Sequence, residues 1–104
     1  PASPPLVHDC RLALGDELWA LLVARGEFVE VSSDVAFDSA SYRRMVAEIT
    51  SSLGQGGAVT VAQVRDRYGT SRKYALALLE HLDAVGVTVR VGDERKLGGR
   101  APKQ

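Results

Sequence analysis

The 104-residue chain has a single cysteine and no long apolar run. Cys10 cannot form an internal disulfide, which fits the reducing cytosol, and Cys10 with His8 supplies too few ligands for a zinc site. No stretch approaches the roughly 18 apolar residues that a membrane-spanning helix needs. These absences predict a cytoplasmic protein that has no disulfide, no metal ion and no membrane partner.

The sequence signatures of common enzymes and of a natural protein start are also missing. The chain has no Gly-x-x-x-x-Gly-Lys-Ser/Thr phosphate loop, no His-Glu-x-x-His, no Cys-x-x-Cys and no Gly-x-Ser-x-Gly. We therefore expect no catalysis and no cofactor within these residues. The Pro-rich start lacks an initiator Met and a signal peptide, which indicates a fragment or a processed chain.

The charges are divided between the two ends of the chain, although they sum to zero. Residues 1–38 carry two basic and seven acidic side chains, a net charge of −5. Residues 39–104 carry eleven basic and six acidic side chains, a net charge of +5. A polyanion would therefore bind the C-terminal part and be repelled by the N-terminal part.

The N-terminal half contains signals for two helices and a hairpin. Residues 1–8 are predicted to be a lead-in without structure, followed by a helix that Asp16 caps and that ends near Gly26. Two short strands, 28–31 and 35–37, follow it. A second helix, capped by Asp38 or Ser39, has an apolar stripe at helical spacing that predicts a core face. Its members are Tyr42, Met45, Val46, Ile49 and Leu53.

The C-terminal half has the pattern of a helix-turn-helix. Thr60 and Gln63 have capping-box spacing at the start of a short helix that Gly69 ends. Thr70 or Ser71 can cap a second, longer helix. A short helix, a tight glycine turn and a longer helix are typical of this motif.

A β-hairpin is predicted after the second helix. Its first strand alternates, with three valines on one face and Thr88 and Arg90 on the other. Gly92-Asp93 is typical of a two-residue turn, and residues 94–97 can form the return strand. We therefore predict a mainly α fold with small β-hairpins, a winged helix-turn-helix, with a loose basic tail over 98–104.

The first turn of the second helix carries the candidate binding residues Ser71, Arg72, Lys73 and Tyr74. A helix N-terminus presents free amides and the positive end of the helix dipole, both suited to phosphate. Arg72 and Lys73 oppose that dipole and so lower the stability of the helix, which suggests that they are there for a ligand. A solvated basic turn is the alternative. Tyr74 is a candidate for stacking on an unpaired base.

Further cations flank this turn. The remaining candidate contact residues are Arg65, Arg90, Arg95 and Lys96. For Arg90, an exposed ion pair with Asp93 or Glu94 is the alternative to a ligand. Asp66 is expected to pair with an arginine of the second helix. We predict that the cations form one positive surface.

Residues 61–97 resemble the last winged-helix domain of the bacterial selenocysteine-specific translation elongation factor. The matching runs are Arg65-Asp66-x-x-Gly69-Thr70-Ser71-Arg72-Lys73-Tyr74-Ala75-Leu76, Leu79-Glu80-x-Leu82-Asp83 and Val87-Thr88-x-Arg90-x-Gly92-Asp93-x-Arg95-x-Leu97. Several matched positions are polar, and packing alone would not require them. The resemblance is weaker upstream of residue 61.

In that family a GTPase body carries four tandem winged helices, and the last one grips the mRNA hairpin that recodes UGA as selenocysteine. The resemblance implies that residues 39–104 are this RNA-binding domain and that residues 1–38 are the lead-in and the end of the preceding winged helix. It implies an mRNA stem-loop as partner, with the ribosome and selenocysteinyl-tRNA reached only through the full-length protein. Phosphates would lie on Arg72 and Lys73, and an unpaired base in a pocket near Tyr74.

Two other functions are compatible with the same fold. A DNA-binding transcriptional regulator would place the second helix, about 70–85, in the major groove. A protein-interaction winged helix would bind no nucleic acid, and its binding would show no steep dependence on salt.

Overall fold

The computed structural model describes residues 6–54 and 56–101, which form five helices and five short strands. In chain order these are α1 (Val7–Leu14), α2 (Asp16–Ala24), β1 (Phe28–Glu30), β2 (Ala36–Asp38), α3 (Ser39–Leu53), β3 (Val59–Thr60), α4 (Val61–Tyr68), α5 (Arg72–Ala84), β4 (Thr88–Val91) and β5 (Glu94–Leu97). The mainly helical winged fold predicted from the sequence is confirmed. None of the described helices is long and apolar enough to cross a membrane.

The N-terminal segment differs from the prediction at its start. Leu6 forms a β-bridge with Val35, and Val7 begins α1 with its side chain buried, so the predicted unstructured lead-in over residues 1–8 is wrong for residues 6–8. Residues 1–5 lie outside the described part. Asp16 is the first residue of α2 rather than its cap, because Gly15, at φ 85°, holds the cap position and also ends α1.

The hairpin β1–β2 leads directly into α3. Its strands are antiparallel, with Phe28 opposite Asp38, as the two-strand prediction required. The Asp38 carboxylate accepts a hydrogen bond from the Ser41 amide at 3.0 Å and caps α3, which confirms the predicted cap. This hydrogen bonding to Ser41 lowers the pKa of Asp38, because it stabilises the ionised form.

The predicted helix-turn-helix and wing are present at the expected positions. Thr60 and Gln63 form the reciprocal capping box that begins α4, and Gly69, in the left-handed conformation at φ 59°, ends it. Ser71 then caps α5 by accepting from the Tyr74 amide. The hairpin β4–β5, called the wing below, pairs through β5 with β3, so β5 lies in the middle of a three-stranded antiparallel sheet.

One hydrophobic core crosses residue 38, the predicted domain boundary. Val35 and Phe37 of the N-terminal hairpin are buried together with α3, α4 and α5. The main buried contributors from the C-terminal part are Met45, Ile49, Leu53, Val64, Leu78, Leu79 and Leu82. A smaller cluster is formed by Val7, Trp19 and Ala36. The division into two domains between residues 38 and 39 stays a prediction. It has to be reconciled with a core to which both parts contribute.

The segment after the wing is ordered where the structure describes it. The amide of Gly98 donates to the Val87 carbonyl at 2.8 Å, and the amide of Arg100 donates to the Gly86 carbonyl at 2.9 Å. The Arg100 side chain lies against Gly86. The predicted loose tail is therefore wrong for residues 98–101, and residues 102–104 lie outside the described part.

Candidate nucleic-acid interface

The start of α5 presents the two predicted cations to solvent. The hydroxyl of Ser71 is used as the helix cap, and Arg72 and Lys73 follow it on the exposed side of the first turn. Because the free amides of the first helical turn carry partial positive charge, this turn adds to the field of both side chains. The helix start can therefore attract an anionic group.

A cleft of about 380 Å³ lies between the start of α5, the wing and the start of α4. It is lined by Thr60, Val61, Ala62, Arg72, Leu76, Arg90, Asp93 and Arg95. The fold thus brings Arg72 and Arg90 together, although they are on different elements. Tyr74 is not among the residues that line this cleft, and a base pocket near Tyr74 stays a prediction.

Arg90 is held in place by the turn of its own hairpin. Its Nε donates to the carbonyl of Gly92 at 2.9 Å, and the side chain is exposed. Because a backbone carbonyl carries no net charge, this hydrogen bond does not neutralise the positive charge of Arg90. The predicted alternative, an ion pair of Arg90 with Asp93 or Glu94, is not the contact that the structure shows.

Arg95 is not exposed, contrary to what a contact residue requires. It is only 1% exposed, and its Nε and Nη2 lie 3.2 and 3.1 Å from Oδ2 of Asp83. Thr88, also buried, donates from its hydroxyl to the other Asp83 oxygen at 2.6 Å. Burying a guanidinium requires such pairing, because an unpaired buried charge is costly. The burial of Arg95 thus contradicts its predicted role as a contact residue.

The register and burial of β4 and β5 show which face of the wing is buried. Thr88, opposite Leu97, turns toward Asp83, whereas Val89 and Val91 are about half exposed. Lys96 is exposed and opposite Val89, and side chains directly opposite in a sheet share a face, so Lys96 lies on the valine face, away from Arg90. The positive surface predicted as one patch is thus divided by the wing.

Two other predicted contact residues have acidic neighbours. Nζ of Lys73 lies 3.6 Å from Oδ2 of Asp34, on the turn between β1 and β2. Nε of Arg65 donates to Oδ1 of its neighbour Asp66 at 3.0 Å. Asp66 therefore pairs with Arg65, and the prediction that it pairs with an arginine of α5 is wrong. Both pairs are largely exposed and contribute little stability.

The aromatic side chains near the helix-turn-helix are partly buried by packing against the rest of the fold. Tyr74 is half-buried against the main core. Tyr68 donates to Oε1 of Glu48 at 2.8 Å, and the Arg67 guanidinium lies 5.5 Å from the centre of its ring. Burial, together with this hydrogen bond, raises the pKa of Tyr68 to about 12. Tyr68 is therefore a packing residue, and Tyr74 is only partly accessible to a ligand.

A second, larger groove of about 630 Å³ runs between the tip of the N-terminal hairpin and α5. Its lining includes Asp34, Lys73 and His81. His81 Nε2 lies 3.0 Å from the Tyr42 hydroxyl, and burial lowers the pKa of His81. No sequence signal indicated the roles of Asp34, Asp83 or Thr88, because each depends on a contact between separate elements.

A helix-turn-helix that is capped at both helices, followed by a β-hairpin and flanked by exposed arginines, defines a winged-helix domain. Residues 52–97 match the family described as "Elongation factor SelB, winged helix". The resemblance to the selenocysteine-specific elongation factor that the sequence predicted is therefore confirmed over these residues.

Individual relatives agree with this family. The selenocysteine-specific elongation factor of Desulfomicrobium baculatum is 25% identical over 102 residues, which cover 96% of this chain and 16% of that protein. The mRNA-binding domain of elongation factor SelB from E. coli, solved in complex with SECIS RNA, matches with a TM-score of 0.69 and 25% identity over 92% of this chain and 84% of that one. A crystal structure of the bacterial selenocysteine-specific elongation factor EF-Sec matches with a TM-score of 0.72 and 24% identity over 91% of this chain and 16% of that one. The chain therefore spans about a sixth of the length of the curated relative.

Proposed function

We propose that this chain binds an mRNA stem-loop as part of a selenocysteine-specific translation elongation factor, and that it recruits the factor to the element that recodes UGA as selenocysteine. The observation that carries the proposal is the convergence of Arg72 and Arg90 on one cleft beside the capped start of α5. Support comes from the similar E. coli domain, which was solved with SECIS RNA.

The geometry favours recognition of a folded RNA over insertion of a helix into a groove. The major groove of A-form RNA is too deep and narrow for side chains, so proteins read its phosphates and its unpaired bases. Phosphates would lie on Arg72, Lys73 and the free amides of α5. An unpaired base would enter the cleft, where the Arg72 and Arg90 guanidinium planes can stack on it and the Asp93 carboxylate can accept from its amino group.

The remaining predicted contact residues would have secondary roles. Ser71 caps the helix that would bind phosphate. Arg65, Tyr74 and Lys96 lie outside the lining of the cleft. Arg65 and Lys96 would add sequence-independent attraction for the RNA backbone, since exposed cations act over several ångströms even without direct contact.

Other parts of a full-length protein would supply its other activities. We infer a GTPase elsewhere in such a protein, contacts with the ribosome and selenocysteinyl-tRNA through it, and a cytoplasmic location. Residues 1–104 would contribute RNA binding without catalysis and without a cofactor of their own.

Selection from an RNA pool tests the proposal without assuming a particular target sequence. A pool of RNA stem-loops with a randomised loop is passed over the protein, and the enriched stem-loop is compared with duplex DNA of the same sequence. We expect tight binding of the stem-loop and weak binding of the duplex. Preference for the duplex would instead favour the DNA-binding regulator.

Single substitutions then test the cleft. Arg72→Ala or Lys73→Ala should weaken binding of the selected stem-loop by about tenfold or more, with a loss of roughly 0.7–0.9 in the log–log salt slope for each phosphate contact removed. Arg11→Ala, which removes an exposed cation from the acidic half, is the matched control and should bind as the wild type does. Wild-type affinity in both α5 variants would exclude this interface, and an affinity independent of salt would favour a protein-interaction domain.

A further inference from the structure

The wing is joined to α5 by one carboxylate that contacts both of its strands. Asp83, near the end of α5, accepts from the Thr88 hydroxyl of β4 at 2.6 Å through Oδ1. Its Oδ2 accepts from Nε of Arg95, on β5, at 3.2 Å. Thr88 is 2% and Arg95 1% exposed, so neither side chain can reach a large ligand.

This contact lies beside Arg90, the exposed arginine of the cleft. Arg95 is the register partner of Arg90, so the buried and the exposed arginine are neighbours on adjacent strands. Arg72 lies at the start of the helix that carries Asp83. The angle between the wing and α5 therefore decides how far Arg90 lies from Arg72.

Stability alone does not explain an ion pair at this position. Replacing a buried ion pair with apolar side chains of similar volume is often neutral or stabilising, because desolvation offsets the attraction. A guanidinium and a carboxylate, however, fix direction as well as distance, since the donors of arginine form a rigid planar fork. An apolar contact would let the wing pivot, whereas this contact holds it at one angle.

We propose that Asp83, Thr88 and Arg95 are positioning residues, which lock the wing against α5 so that Arg90 lies across the cleft from Arg72. What the cleft binds rests on the function proposed above; the lock itself rests on the contacts of Asp83. In this proposal the buried Arg95 has a positioning role, which needs no contact with the ligand.

Substitution of Asp83 separates positioning from plain electrostatics because the two predict opposite signs. Asp83→Asn removes a negative charge close to the cleft, so electrostatics alone predicts tighter RNA binding. If the carboxylate positions the wing, the same variant binds the stem-loop more weakly, by about tenfold.

Thr88→Val is the second variant, and it avoids the buried charge that Asp83→Asn leaves unpaired. It changes no charge and alters a side chain that the RNA cannot touch. We expect about threefold weaker binding of the selected stem-loop and unchanged binding of an unstructured oligo(U) of equal length, which needs charge but no alignment. Val89→Thr, on the exposed face of the same strand, is the matched control and should leave both affinities unchanged.

Amide hydrogen exchange in the absence of RNA tests the lock independently of the proposed function. Thr88→Val should speed exchange across β4 and β5 while α3 and α4 exchange as in the wild type. Faster exchange together with weaker stem-loop binding supports the proposal. Unchanged exchange at the wing, or tighter binding by a folded Asp83→Asn variant, overturns it. A wild-type protein that binds no stem-loop refutes the proposed function, and the lock is then judged on exchange alone.

Discussion

Two helix pairs, each followed by a β-hairpin, occur within the described residues 6–54 and 56–101, and they differ most in the charge at the start of the second helix. α2 begins with Asp16 and Glu17, whereas α5 begins with Arg72 and Lys73. Acidic side chains interact favourably with the positive end of a helix dipole and basic ones unfavourably, by about 0.3–1 kcal/mol each. The charges at the start of α2 therefore favour helix stability, whereas those at the start of α5 oppose it, as the proposed anionic ligand would require.

The two pairs also differ in how they bury apolar side chains. α5 contributes Leu78, Leu79 and Leu82 to the main core, each at most 1% exposed. α1 and α2 leave several leucines 42–73% exposed, namely Leu12, Leu14, Leu18 and Leu21. The N-terminal pair thus depends on its hairpin, through Val35 and Phe37, for its connection to the main core.

The largest effect is expected from a substitution at that connection. Phe37→Ala should lower the free energy of unfolding by about 3–5 kcal/mol, because it leaves a cavity in a core built from both halves. Leu12→Ala, at a side chain 73% exposed, should change it by less than about 0.5 kcal/mol. Chemical denaturation of both variants measures the difference. Two separate unfolding transitions, with only one affected by Phe37→Ala, would contradict a shared core.

Removing the charges at the two helix starts should affect RNA binding very differently. The double variant Arg72→Ala/Lys73→Ala should bind the selected stem-loop about a hundredfold more weakly, equivalent to about 2.7 kcal/mol. Asp16→Asn/Glu17→Gln should change the affinity by less than about twofold, because only a distant repulsion is removed. Fluorescence anisotropy titrations at one fixed salt concentration compare them. Equal losses in both double variants would show that net charge, and not the α5 start, determines binding.

The turns within the two helix pairs should respond differently to substitution. Gly15, at φ 85° and ψ 153°, occupies a region open essentially only to glycine, so Gly15→Ala should cost about 1–3 kcal/mol. Gly69, at φ 59° and ψ 35°, is left-handed helical, and Gly69→Ala should cost about 1 kcal/mol. Asparagine should recover part of the loss at residue 69 but not at residue 15. Thermal unfolding of the four variants checks this, and equal recovery at both sites would refute it.

The smallest effect concerns His81, on the side of α5 that faces the N-terminal hairpin. Burial lowers its pKa below the ordinary value of 6.5, so the unfolded chain binds the proton more readily than the folded one. His81 therefore contributes full stability above about pH 6.5 and loses it as the pH falls below that value. Denaturation at pH 7 and pH 5 should show a smaller loss for His81→Gln than for the wild type. An equal loss would exclude His81 as its source.

Local signals in the sequence predicted the C-terminal elements closely. Thr60 with Gln63, Gly69 and Gly92-Asp93 each specify a cap or a turn through residues that are adjacent or nearly so. Their effect does not depend on the rest of the fold. The bounds of α4 and of β5 therefore follow from the residues at their own ends.

The features that sequence reasoning missed all depend on contacts between separate elements. Helix α1 was overlooked because its short segment has little apolar periodicity, and the burial of Val7 depends on Trp19 and Ala36. The alternation of β4 predicts two faces but not which of them is buried. The contact of Thr88 with Asp83 determines the buried face. The same carboxylate, twelve positions away, turns Arg95 from an apparent surface cation into a buried one.

The ordered segment after β5 has a consequence for the speed of association. Its amides at residues 98 and 100 bond to the carbonyls of residues 87 and 86, so the strand ends of the wing are tied down at the side opposite the hairpin turn. A surface that is already rigid before an encounter has little conformational entropy left to lose when a partner arrives. Such a surface can capture its partner from the first correctly oriented collision, without waiting for a loop to fold around it.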